Sequence, residues 1–262
     1  MIGAEQIKVN FETFNGVLET NFEGERLEKL KTLTDCLKER MMLAPASTKD
    51  WFNNAFPGGY LDHVLRVNKI ANQLHKLYSF HEANESYTEE ELNFVSLFGQ
   101  LGKLGDWDSE YFTKNDSDWH VKNLGMVYKF NENVPAMKIY DRTMYLLQDA
   151  SIKISHNEYL AIRNQEGLFD ESNKFYFYSG QKETKLRTHL PLLLHQAIQT
   201  AQEIEYQIWN SGNSVVQKQN KPANASKADK SLRKAKAINP ENNPNFNEKT
   251  KSIIDSFFNT DE

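Results

Sequence analysis

Phe56-Pro57-Gly58-Gly59-Tyr60-Leu61-Asp62-His63-Val64-Leu65-Arg66-Val67 is the stretch on which the reading of this chain turns. The proline and two glycines set the entry to a helix. Behind them Leu61, Val64, Leu65, Val67, Ile70, Ala71, Leu74 and Leu77 recur at helical spacing. That period makes one long, largely buried helix with His63 in its first turns.

Working outward, residues 23–42 carry Leu27, Leu30, Leu33, Leu37 and Met41 at spacings of three and four, a second amphipathic helix. Ala44-Pro45-Ala46 ends it, since proline disfavours helical geometry in the residue before it. The one cysteine, Cys36, is expected to pack near Leu33 and Leu37, and it excludes an internal disulfide. Downstream, Thr88 and Glu91 have capping-box spacing and open a helix through Leu92, Val95, Leu97 and Phe98 that should stop near Gly102 or Gly105. Residues 106–138 read as short helices mixed with loops, and 142–154 and 158–163 as helices. The aromatic run Lys174-Phe175-Tyr176-Phe177-Tyr178 suggests a small strand or hairpin, whose rings are either core or a surface for base stacking. Residues 190–209, with Pro191 in the first turn, form the last strong helix.

The composition changes after Ser211-Gly212. Residues 213–247 are rich in Asn, Lys, Ala, Ser and Pro and nearly free of large apolar groups, so a disordered linker is expected. Three parts result: a mainly α helical domain over 1–212, the linker over 213–247, and a C-terminal peptide over 248–262. No internal repeat is visible. A net charge of −5, with 26% charged and 39% hydrophobic residues, gives no whole-chain argument for nucleic acid. Seven cations between Lys218 and Lys236 against Asp229 make a local basic tract, either a weak nucleic-acid contact or a solvated spacer. The absence of a signal-like or membrane-spanning stretch and the lone cysteine point to a cytoplasmic protein with no membrane contact.

Several ordered landmarks resemble the HD-domain metal-dependent phosphohydrolases, particularly those of tailed bacteriophages. They are the segment around His63, then Leu97-Phe98-Gly99-Gln100-Leu101-Gly102-Lys103, then Leu190-Pro191-Leu192-Leu193-Leu194-His195-Gln196-Ala197-Ile198. Ala44-Pro45-Ala46-Ser47, Asp118-Trp119-His120 and Asn157-Glu158-Tyr159-Leu160 add to the match, which spans roughly residues 20–210. The resemblance implies an HD-like helical bundle whose metal is held by a histidine, a His-Asp pair and a late aspartate. Here His63 is present, Gly99 and Gln100 stand at the pair, and Ile198 stands at the aspartate. Glycine and isoleucine cannot ligate and glutamine offers a neutral oxygen, so neither metal nor other cofactor is expected and no catalytic residue is assigned.

His63 and His195 are read as relic pocket residues or as histidines hydrogen-bonded inside the bundle. Lys103 and Asp106 lie at a glycine-rich turn, where they either bind a phosphate or cap the chain. The resemblance places Arg66, His120 and Lys122 in segments facing the pocket, as phosphate contacts or as solvated charges. At the C-terminus Ile254, Phe257 and Phe258 share one helical face and resemble short peptides that dock on DNA sliding clamps, with Lys251 where many have glutamine.

The expectation is a catalytically inactive binding or adaptor protein tied through its C-terminal peptide to a protein partner, such as a sliding clamp or the replication or transcription machinery. The first alternative is a phosphohydrolase of nucleotides or nucleic-acid phosphates, with a divalent metal relocated to His120, His195 and Asp106. The second is a nucleotide-binding sensor.

Overall fold

The computed structural model describes residues 2–52, 54–81, 86–178 and 185–219; the sequence readings for 220–247 and for the docking peptide at 248–262 lie outside the described residues. The protein is mainly helical, with one small antiparallel sheet. Its contacts divide it into Met1–Ser214 and Val215–Glu262. The first unit holds every element up to the last helix; of the second, the described part is the end of that helix.

Helix α1 (Ala4–Asn21) buries Ile7, Phe11, Phe14 and Leu18, and α2 (Gly24–Leu43) buries Leu30, Leu33, Leu37 and Met41. These stripes face the core because their residues recur every three or four positions. Cys36 is exposed, correcting its expected packing: the inward stripe is filled by Leu33, Thr34 and Leu37, and Cys36 falls to one side of it. Helix α3 (Gly59–Phe80) begins after Gly58, whose φ of 80° is a left-handed conformation that glycine adopts without strain.

Helix α4 (Glu89–Phe98) lies at the centre, since every residue from Leu92 to Phe98 is buried. Thr88 and Glu91 form the expected reciprocal capping box. A 3-10 turn follows over Leu101–Leu104. Strands β1 (Phe112–Lys114) and β2 (Tyr128–Phe130) then pair antiparallel, with Phe112 opposite Phe130, and enclose the short helix α5 (Asp118–Leu124).

Helix α6 (Ile139–Asp149) packs on the 101–104 turn. A Cβ on Gly102 would stand 2.2 Å from the Ile139 carbonyl oxygen, and one on Gly99 would stand 2.4 Å from the Val95 carbonyl oxygen. The close approach is fastened by Thr143, whose hydroxyl accepts from the Gly102 N–H at 2.9 Å and donates to the Gly99 carbonyl at 3.1 Å.

Helix α7 (His156–Arg163) starts with a second capping box, Ser155 with Glu158. The Glu158 side chain is fully buried and lies 2.6 Å from Arg26, whose guanidinium sits 4.5 Å from the Phe94 ring centroid. The 174–178 segment is not a strand: residues Lys174–Phe177 form the single-turn helix α8. Asn173, just before it, donates to the Gly167 carbonyl and accepts from Arg163, which pins a turn in place, and Phe175 and Tyr178 are exposed rather than core.

Helix α9 (Leu190–Gln219) runs seven residues into the segment read as linker. It lies antiparallel to α3, because His63 bonds Glu205 whereas Tyr78, further along α3, bonds Gln196, earlier on α9. Among the described residues no helix is long and apolar enough to cross a membrane.

Candidate functional site

His63 is fully buried on α3, and its Nδ1 lies 2.9 and 3.1 Å from the two carboxylate oxygens of Glu205 on α9. With Glu205 ionised, Nδ1 carries the proton and donates it. Arg66, one turn on from His63, brings Nε to 3.3 Å from Glu205, an ion-pair contact that lacks hydrogen-bond alignment. The same guanidinium donates to Asp62 at 2.9 Å, and Asp62 also accepts from Asn54 at 2.8 Å. The result is a continuous polar chain, from His63 through Glu205 and Arg66 to Asp62.

His63 Nε2 is buried without a hydrogen-bond partner among the described residues, as is Gln100 Oε1. A histidine whose Nδ1 is held by a carboxylate while Nε2 stays free has the orientation of a metal ligand. The other positions do not complete such a site. Gly99 has no side chain, and the space a Cβ would occupy is taken by backbone. Ile198 is buried in the hydrophobic core, and Gln100 is neutral. Among the described residues no group of three or more His, Cys, Asp or Glu side chains could hold a metal ion. The residues present therefore do not fit the hydrolytic metal centre that the resemblance implies.

The remaining residues singled out in the sequence have local partners. Asp106 accepts the N–H groups of Asp108 and Ser109 with Oδ1, fastening its own turn, while Arg40 donates to the Asp106 and Trp107 carbonyls. His120 is exposed on α5, with Nδ1 2.6 Å from the Ser117 hydroxyl. Lys122 is exposed and lies 3.5 Å from Asp118. His195 Nδ1 is 2.8 Å from the Gln165 carbonyl, a geometry in which the ring donates. His120, His195 and Asp106 thus do not gather into the relocated metal site.

Lys103 differs from all of these. It stands in the 101–104 turn and borders two cavities. One, of about 470 Å³, is lined by Phe52, Tyr111, Phe112, Phe130 and Phe169, with Glu166, Gln199 and Gln202 among its polar groups. The other, of about 580 Å³, opens between Arg40, Lys114 and the 108–112 segment. Among the described residues no carboxylate lies within salt-bridge distance of the Lys103 ammonium. Burial lowers its pKa to about 8, and the fields of Glu166 and Glu205 only partly counter that shift.

Sequence reasoning does not single out Glu205 or Glu166. Glu205 has a readable signal: Leu194, Ala197, Ile198 and Ala201 mark the buried stripe of α9, and Glu205 continues it four residues further on. A carboxylate on an inward stripe requires a partner.

No protein-family model, curated protein or solved structure matches this chain.

Proposed function

We propose that this chain is an HD-type domain that acts without hydrolysis, as a binding or adaptor factor. The observation that supports the reading is the polar chain at His63. The one retained ligand-type residue is tied to Glu205 and, through it, to Arg66, while Gly99 and Ile198 supply no ligand and Gln100 only a neutral oxygen. A partly buried polar network of this kind holds α3 against α9.

In this reading the domain holds one component and the peptide at 248–262 reaches a second, through Ile254, Phe257 and Phe258. A tether raises the effective concentration of the second site. The partner proposed is a protein of the sliding-clamp or polymerase machinery, within a host cytoplasm if the chain is phage-encoded.

Metal analysis of the purified full chain, with hydrolysis assays in added manganese, iron, magnesium and zinc, tests the domain half. The expected result is substoichiometric metal and no turnover of nucleotides. One bound metal per chain, with turnover lost on His63→Ala, would overturn it. For the peptide half, capture of a purified clamp should be abolished by the double change Phe257→Ala and Phe258→Ala; capture that survives it removes the docking assignment.

A further inference from the structure

Lys103 goes unused in the binding reading above, and its surroundings suit chemistry rather than charge pairing. Lys103 lines a cavity of about 470 Å³, open to solvent at Phe52, Phe130 and Phe169, which is large enough for a single aromatic ring with substituents and offers it several ring faces. Glu166 lines the same cavity and Lys103 feels its field, so a carboxylate capable of carrying protons accompanies the amine. Gln199 and Gln202 add amides that can both donate and accept. An anion would meet Glu166 in this cavity; a neutral, polar aromatic ring would not be repelled.

We propose that Lys103 is a covalent capture site for an aromatic aldehyde, which it holds as an imine within this cavity. The uncharged amine attacks the carbonyl carbon, forming the C–N bond, and the proton released from nitrogen passes to the former carbonyl oxygen to give a carbinolamine. Loss of the second nitrogen proton together with the hydroxyl group then forms the C=N bond. Glu166 serves as proton carrier in both steps. One amine and one aldehyde give one imine and one water, with no oxidant or reductant.

The lowered pKa of Lys103 supports the same assignment. An amine with a pKa of about 8 is roughly one quarter uncharged at pH 7.5, against roughly 0.1% for an ordinary lysine, a difference of about two hundred-fold in the reactive form.

Pyridoxal, offered to the full chain at less than one equivalent and trapped with cyanoborohydride, tests this by peptide mass mapping. The expected result is labelling at Lys103 at least tenfold above any other lysine, with a half-maximum near pH 8. Urea-unfolded chain should lose that preference. Glu166→Gln should slow labelling of Lys103 without redirecting it. Labelling spread over the exposed lysines of the folded wild-type chain would overturn the proposal, whether or not Lys103→Arg folds. So would a Lys103 preference that persists in urea, since that would come from local sequence rather than from the cavity.

Discussion

His63 is fully buried in the helical unit and Lys103 half-buried at the edge of two cavities, and one is held where the other is not. His63 bonds a carboxylate that also meets Arg66, so its burial is offset by partners on α3 and α9. Lys103 has carboxylates in its field but none at bonding distance among the described residues, and burial pushes its pKa down to about 8. The contrast separates two uses of a polar side chain inside a helical unit. Where polar groups are paired they hold helices in register; where a charge is left unpaired it costs stability and retains reactivity.

The largest expected effect comes from breaking the paired region. Glu205→Ala removes the acceptor of His63 and one partner of Arg66, and should destabilise the fold by about 3 kcal/mol in urea unfolding. Glu205→Gln, which keeps an acceptor, should cost less. Equal losses in the two variants would mean that packing rather than polarity holds α9 there. Next, Gly102→Ala places a methyl group 2.2 Å from the Ile139 carbonyl oxygen, so α6 must shift, at a cost of about 2 kcal/mol. An unchanged midpoint would show that the 99–102 turn is looser than the Thr143 bonds imply.

Lys103→Met should act in the opposite direction and stabilise the chain by about 1–2 kcal/mol at pH 7. The sign follows from the depressed pKa. Between about pH 8 and the ordinary lysine value the unfolded chain binds more protons than the folded one, so wild-type stability from this group rises with pH. The advantage of methionine should therefore be full below pH 8 and shrink above it; a gain independent of pH would assign it to packing. Smallest of all, His120→Ala and Lys122→Ala, both on the exposed face of α5, should each change stability by less than about 0.5 kcal/mol.

The helices legible in the sequence are those with a strong period or a chemical boundary. Proline at 45, the glycines at 58 and 59, and the Thr88–Glu91 box mark ends that the structure reproduces. Helix α1 is missing from the sequence reading although Ile7, Phe11, Phe14 and Leu18 carry a helical period of their own. The aromatic run at 174–178 misleads because β propensity expresses packing on a sheet, and there the chain turns on Asn173 with no sheet to join. At the site, His63 and Lys103 stand out by residue type. Glu205 does not, because its role depends on the antiparallel register of α3 and α9, which joins partners 142 positions apart along the chain.

The seating of α6 against the turn at Gly99 and Gly102 also bears on how this sequence can change. A side chain at either position needs backbone to move first, and that movement strains the Thr143 bonds to the Gly99 carbonyl and the Gly102 amide. Single substitutions at 99 or 102 therefore pass through a destabilised intermediate, whatever the new side chain would do. Any path that installs one there must carry a compensating change in the backbone around it, which makes these two glycines entrenched: their replacement is blocked less by lost function than by the order in which mutations can arrive.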